Sequence, residues 1–242
     1  ASKRIPTLTK QNFVLLEGEI EIVGRLVDAS NATLFGQAVL GDEKISIIYK
    51  PRAGERPLWD FPIGSLADRE VAAFQVSEAL DWDLVPSTLL REGPYGIGMV
   101  QEWIDINQSL DVLSLIAESH PDLRRMALFD AIINNTDRKF GHLLPTSDGR
   151  IRGCDHGVAF HTDDKLRTVL WDWAGEPIAD DELLGLESIV ESLSKGQLRD
   201  TLSQHLTGEE IDGTLIRLYR LIDEKCFPVP GTEWPAVPWP PF

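Results

Sequence analysis

Alternation of apolar and small residues from Leu15 to Asp28 predicts a first β-strand, with Leu16, Gly18, Ile20, Ile22, Gly24 and Leu26 on one side. A tip of small hydrogen-bonding residues, Asp28 to Thr33, separates it from a second strand, Leu34 to Leu40. Gly41-Asp42 is a hairpin turn signal, and the β-branched run Lys44 to Lys50 follows it. These three strands predict a small antiparallel sheet. Val71, Phe74 and Leu80, with the small Ala72 and Ala73, recur at helical spacing and predict a helix from Leu66 to Leu80 capped by Ser65. Two short strands, Trp82 to Leu90 and Gly98 to Trp103, complete the sheet around the turn REGPYGIG.

Beyond Asn107 the period becomes helical. Helices are predicted at Ser109 to Ala117 and, capped by Ser119 with Pro121 in its first turn, through Leu123, Met126, Ala127, Asp130 and Ile133. Later ones are predicted at Asp180 to Ser194, Gln197 to Leu206 and Glu209 to Lys225. The last stretch, FPVPGTEWPAVPWPPF, is dense in proline, which donates to neither helix nor sheet ladders, and reads as an extended tail. The expected organisation is an arm (1–13), a β-rich N-lobe (14–104), a helical C-lobe (105–227) and a Pro/Trp-rich tail (228–242), an α+β chain.

Composition changes this picture only at its edges. A chain of 242 residues with 43% hydrophobic and 26% charged content has enough apolar surface for a full core. Its net charge of −16 argues against nucleic acid, whose phosphates need clustered Lys and Arg, and against stable docking on an anionic membrane. A few placed cations and a metal still suffice for ATP. Cys154 and Cys226 fit no metal or redox spacing and suit a reducing compartment. No apolar run approaches the roughly 20 residues of a membrane span. The start, ASKRIPTLTKQ, lacks an apolar signal core, so a cytoplasmic location is expected.

The candidate chemistry lies mainly in one stretch, Ile132 to Gly157. It carries Asp137, Lys139 and His142 as D-R-K-x-x-H, and Asp155 in C-D-H-G. A lone loop Asp is usually a turn cap, but phosphoryl transfer needs this combination of groups. One carboxylate orients or deprotonates the acceptor hydroxyl, a cation sits near the moving phosphoryl, and another carboxylate holds the bridging metal. Upstream, Lys50 ends a strand from which a lysine reaches a phosphate, and Glu70 in the following helix is placed to fix its direction. Ser30, Asn31 and Thr33 at the hairpin tip offer donors over a triphosphate. There is no G-x-x-x-x-G-K-[ST] loop and no G-x-G-x-x-G loop. Gln101, Glu102, Trp103 and Ile104, where the lobes meet, offer backbone for an adenine edge and an aromatic cover for its face, or alternatively a buried strand end.

As an ordered set over residues 15 to 225, these motifs resemble an actinobacterial branch of the phosphatidylinositol 3- and 4-kinase-like family, a relative of the protein-kinase fold. Asp137-Arg138-Lys139-Phe140-Gly141-His142 stands where protein kinases have D-L-K-x-x-N, and Asp155-His156-Gly157 where they have D-F-G. Lys50-Pro51 and Glu70 in R-E-V-A-A match the strand lysine and helix glutamate. The resemblance implies a bilobal kinase-like fold with ATP between the lobes, Asp137 as catalytic Asp, Lys139 as phosphoryl-stabilising cation and Asp155 as metal ligand. His142 replaces the usual Asn; imidazole suits Mn²⁺ better than Mg²⁺, so it ligates through nitrogen, changes the metal preference or contacts phosphate instead.

The expected activity is transfer of the ATP γ-phosphoryl group, with Mg²⁺ or Mn²⁺, to a hydroxyl acceptor. With only Lys165 and Arg167 near Trp171 and Trp173, a small polyol, a metabolite or a protein fits better than a membrane phosphoinositide. Trp171 and Trp173 either line that acceptor pocket or pack in the core. Three other functions stay open. A pseudokinase would bind nucleotide and act through a protein partner, with the tail as a docking element. A nucleotidyltransferase would hold ATP in a flipped pose. A metal-dependent hydrolase would use His142, Cys154, Asp155, His156 and His161, although neighbours in a strand point to alternate faces and no H-E-x-x-H or CxxC spacing exists.

Overall fold

The computed structural model describes residues 10–26 and 32–242, so Ser30 and Asn31 at the hairpin tip lie outside the described residues. The chain divides into two compact units. The first comprises the described residues up to Ala67 with Ser87–Trp103; the second comprises Asp68–Pro86 with Ile104–Phe242.

The first unit is a five-stranded antiparallel sheet in the order β1-β2-β3-β5-β4, with β1 at Glu19–Arg25, β2 at Leu34–Leu40, β3 at Glu43–Pro51, β4 at Thr88–Gly93 and β5 at Gly96–Glu102. Gly41-Asp42 closes the β2–β3 hairpin, with Leu40 opposite Glu43 and Gly41 at φ +61°, a left-handed conformation glycine adopts without strain. A helix, α1 (Lys10–Glu17), precedes the sheet where the sequence pattern predicts an arm and the start of a strand. Its Val14 and Leu15 are buried against Ile20, Ala38, Ile47, Tyr49 and Val100. Adjacent apolar residues give no strand face but do fit one side of a short helix, and this packing decides the conformation. The strand predicted from Trp82 also gives way: Trp82, Leu84 and Val85 are core residues of an irregular segment, and β4 starts only at Thr88.

Helix α2 (Leu66–Leu80) forms over the predicted span, and from Asp68 onward it belongs to the second unit. Its first amides meet a carboxylate from the preceding loop. The Ser65 hydroxyl donates to the Pro62 carbonyl at 2.7 Å, and the carboxylate of Glu55 accepts the Leu66 and Ala67 amides at 3.1 and 2.9 Å. A carboxylate takes two orphan amides at once, where a hydroxyl takes one.

The second unit is mostly helical: α3 at Val112–Ala117, α4 at Pro121–Ile133, α5 at Asp180–Lys195, α6 at Gln197–Leu202 and α7 at Gly208–Glu224. Ten of the thirteen residues of α4 are buried, so α4 is the central helix of this unit rather than a surface one. Its cap is His120, whose Nδ1 accepts the Asp122 amide at 3.2 Å; Ser119 instead accepts the Trp173 indole N–H at 3.2 Å. Helix α7 begins with a reciprocal capping box between Thr207 and Glu210. Glu210 is also ion-paired with the buried Arg69 of α2, and the same guanidinium donates to the Ala159 carbonyl at 2.7 Å. A short hairpin, β6 (Leu143–Pro145) and β7 (Ile151–Gly153), follows α4 and buries Leu143 and Ile151 in the core. Among the described residues no helix is long and apolar enough to cross a membrane.

Close approach of β5 to β3 at Lys50 requires Gly98: a Cβ there would lie 2.5 Å from the Lys50 carbonyl oxygen and 2.6 Å from Pro51 Cα. Both are backbone atoms, which cannot swing aside as a side chain would. Gly98→Ala is expected to cost about 1–3 kcal/mol. Calorimetry would register a lower melting temperature, and an unchanged one would show that the two strands slide apart freely.

Candidate functional site

The loop that follows α4 is built by its asparagines. Asn134 ends the helix in the left-handed region (φ 53°), a conformation Asn tolerates better than most residues. Its side-chain amide donates to the His161 and Asp163 carbonyls, and its Oδ1 accepts the Lys165 amide at 2.9 Å. Asn135 donates to Asp130 at 3.0 Å and accepts the Asp137 amide at 3.1 Å, which turns the chain so that Asp137 comes out of the core. Neither asparagine figures among the residues singled out from the sequence. Two consecutive Asn after an apolar helix are, however, a legible cap-and-turn signal.

Between Asp137 and Lys139 the chain dives back. Arg138 is fully buried and forms a fork on Asp130 of α4, Nε to Oδ2 at 3.0 Å and Nη2 to Oδ1 at 2.8 Å. Its Nη1 donates to the Cys154 carbonyl at 2.9 Å, and its Nη2 donates to His156 Nε2 at 2.7 Å. Since Nε2 accepts, the neutral imidazole carries its proton on Nδ1, which lies 3.9 Å from Glu70 Oε2. Glu70, buried in α2, also accepts the His156 amide at 2.8 Å. One buried polar chain thus runs Asp130–Arg138–His156–Glu70 and ties the Asp137 loop to the Asp155 turn.

The two aspartates flank hairpin β6–β7. Asp137 Oδ2 lies 3.5 Å from Lys139 Nζ, and Asp155 Oδ2 lies 3.5 Å from His142 Nε2. The backbones are linked as well, since the Cys154 amide donates to the His142 carbonyl at 3.0 Å. Asp155 sits at φ 63°, a left-handed conformation uncommon for a residue with a side chain. Partial burial lifts the Asp137 carboxyl above its ordinary range; the Lys139 cation opposes this and the Asp155 charge adds to it. Segment 167–169 runs beside the loop. The Arg138 amide donates to the Arg167 carbonyl at 3.1 Å, and the Val169 amide donates to the Arg138 carbonyl at 3.2 Å.

A divalent ion fits this donor set in one manner only. Among the described residues no three His, Cys, Asp or Glu side chains gather as a self-sufficient metal cage. The convergence of Asp155 Oδ2 and His142 Nε2 suits an ion that takes its remaining ligands from phosphate and water. In the structure His142 Nδ1 accepts the Lys139 amide at 3.4 Å, which places the ring proton on Nε2 facing Asp155; ligation through Nε2 requires the other tautomer, with the proton on Nδ1 and the Lys139 contact given up. The hydrolase cluster does not assemble. The His156 ring is buried with Nε2 on Arg138, and His161 accepts the Asp163 amide at 3.0 Å and faces Lys165 Nζ at 3.2 Å.

In the first unit, Lys50 lies opposite Met99 in the β3–β5 register. Thr33 is buried, and its carbonyl accepts the Leu26 amide at 2.9 Å. The buried Gln101 side chain donates to Thr88 at 2.8 Å. Glu102 donates its amide to the Ser87 carbonyl and Trp103 donates its amide to the Ser46 carbonyl, each at 2.9 Å, so both N–H groups are committed to the sheet. Trp103 meets Phe35 edge to face. Ile104 begins the second stretch of the other unit, to which Glu70 also belongs. Trp173 is a core residue packed near Phe227, not a pocket wall, while the Trp171 indole N–H donates to the Ala236 carbonyl at 2.9 Å.

Solved structures share this architecture. The Helicobacter pylori proinflammatory kinase CtkA aligns with a TM-score of 0.52 at 13% identity, covering 88% of this chain and 94% of that one. The Golgi casein kinase solved with Mn/ADP bound aligns with a TM-score of 0.59 at 14% identity, covering 88% of this chain and 74% of that one. The fold is therefore protein-kinase-like, a small antiparallel sheet unit followed by a mostly helical one. No protein-family model matches the chain. It is 39% identical over 267 aligned positions to Protein Rv2133c of Mycobacterium tuberculosis (strain ATCC 25618 / H37Rv), covering 96% of this chain and 95% of that protein. The chain belongs to the family of Protein Rv2133c.

Two outcomes test this geometry. Asp130→Ala leaves Arg138 buried without its fork and is expected to cost about 3–5 kcal/mol in denaturant unfolding; near-native stability would show that Arg138 is held by its other acceptors alone. Asp137→Asn is expected to raise the melting temperature at neutral pH. The folded state raises the Asp137 pKa, so its contribution to stability is complete below the unfolded value and is lost as pH rises through the folded one. The advantage of the amide should therefore vanish as pH falls below the ordinary carboxylate range, and an advantage independent of pH would contradict the shift.

Proposed function

We propose that the protein is an ATP- and metal-dependent phosphotransferase that moves the γ-phosphoryl group to a hydroxyl acceptor. The observation that carries this is the pairing of Asp137 with Lys139 on a loop whose intervening residue, Arg138, is locked in the core. A carboxylate and a cation held this way have little freedom to reorganise during the reaction, the condition under which electrostatic stabilisation is most effective. Asp137 takes the acceptor proton as the oxygen–phosphorus bond forms and the β–γ bridge breaks. The lifting of its carboxyl by burial makes it a better base. Lys139 neutralises charge on the transferring group. Asp155, with His142 once its ring proton has moved to Nδ1, would hold a Mg²⁺ or Mn²⁺ ion, which when bound neutralises the phosphate oxygens. The Golgi casein kinase, solved with Mn/ADP, supports a divalent metal and a nucleotide here by analogy of fold.

Within the fold we assign the chain to the phosphatidylinositol 3- and 4-kinase-like branch, on Asp137-Arg138 at the loop start and Lys50-Pro51 at the strand end. Lys50, with Thr33, Ser30 and Asn31, would serve the nucleotide phosphates, and Gln101 to Ile104 the adenine. The acceptor is a small polyol, a metabolite or a protein hydroxyl in the cytoplasm, because the −16 charge disfavours anionic lipid and nucleic acid alike. A second reading, a nucleotide-binding pseudokinase, is favoured by the His142 tautomer, which offers Asp155 a donor rather than an ion a lone pair.

Asp137→Ala is expected to lower turnover by on the order of 10²- to 10⁴-fold while nucleotide affinity stays near native. Incubation with γ-labelled and α-labelled ATP in Mg²⁺ or Mn²⁺ checks it. Label moving from the γ position in the native chain and not in the variant supports the assignment. Movement of α-label would point to nucleotidyl transfer, and binding without any turnover to the pseudokinase.

A further inference from the structure

The Pro/Trp-rich tail folds back on the second unit's own candidate site. The Ala236 carbonyl accepts both the Thr168 amide at 3.0 Å and the Trp171 indole N–H at 2.9 Å. The Pro241 carbonyl accepts the Phe140 amide at 2.9 Å, and the Phe242 ring lies against the Phe140 ring with centroids 5.0 Å apart. Lys165 Nζ stands 4.7 Å from the centre of the Trp234 ring. The tail therefore touches the segment paired with Arg138 and then the residue just past Lys139.

This gives Lys139 two flanking anchors of different origin. On one side Arg138 is fastened to Asp130 in the core. On the other, Phe140 packs against the core and is further fastened by the tail: its backbone N–H by Pro241 and its ring by Phe242. We propose that Pro241 and Phe242 are positioning residues that hold the far side of the Asp137–Lys139 loop, so that docking of the tail sets the placement of the Lys139 cation beside Asp137. Proline suits this role: a tail unable to donate to a ladder still offers carbonyl oxygens, and the loop supplies the donors. An extended proline segment also loses little conformational entropy when it docks. The effect on turnover rests on the phosphotransferase reading; the effect on the loop does not.

Phe242 is 73% exposed, so its replacement leaves the core intact and isolates the strap. In the full chain, Phe242→Ala is expected to speed hydrogen exchange of the Phe140 and His142 amides roughly fivefold to tenfold, the scale of one lost hydrogen bond. It should lower kcat by a similar factor while leaving KM for ATP unchanged, and Phe242→Trp should restore both. Trp239→Ala, at an 86% exposed position of the same tail, should behave as native. Unchanged exchange in Phe242→Ala would overturn the strap whatever the turnover. Faster exchange with native kcat would overturn its positioning role. A native chain that transfers no phosphoryl group would instead defeat the phosphotransferase reading, and the exchange rates alone would then decide whether the tail orders the loop.

Discussion

The buried fork of Arg138 on Asp130 is the constraint on which the rest of the site depends. A guanidinium at zero exposure is tolerable only with its charge paired and its donors placed, and here the placements are structural instructions. Asp130 is on the central helix, Cys154 and His156 are at the Asp155 turn, and Glu70 continues the chain into α2. Because Arg138 separates Asp137 from Lys139, fixing one side chain inward forces its two neighbours toward the opposite side. The same alternation sets out the Asp137–Lys139 pair and hides the charge that supports it.

The division of the chain has a chemical counterpart. The sheet unit commits its backbone donors at Glu102 and Trp103 to strand pairing and brings β3 and β5 together at a glycine, leaving Lys50 at a rigid strand end. The helical unit holds both aspartates, Lys139 and the helix glutamate. Glu70 is thus oriented by a backbone amide of the Asp155 turn before any lysine is considered. Holding that turn is a function the helix-glutamate motif alone does not reveal.

Long periodic elements were legible in the sequence. Strand β2 and helix α2 have the bounds that alternation and helical spacing predict, since one buried face dictates each pattern. Failures fall where packing overrides local pattern: α1, whose Leu15 and Leu16 the alternation counts into the first strand, and Trp82 to Val85, apolar yet irregular because its backbone donors meet Ser77. In the site, Asp137, Lys139, His142 and Asp155 stood out because charged residues between apolar runs are conspicuous. Arg138 was legible only as a motif letter and His156 only as a possible metal ligand, not as partners in one buried chain. Buried polar partners share no periodicity, and only the folded chain shows that a residue inside a motif points into the core. The tail's proline content predicted its extended form, but its docking partner was invisible because a carbonyl acceptor has no side-chain signature.

The left-handed backbone at Asp155 has a consequence for reading the family's history. Asn and Gly occupy that conformation at little cost, whereas Ala, Glu or a branched residue would strain the turn. A descendant that loses the carboxylate while keeping its fold is therefore channelled toward Asn-His-Gly or Gly-His-Gly at this place. Such a tripeptide keeps the turn without its carboxylate, and a bulkier replacement marks a scaffold whose turn has itself been rebuilt.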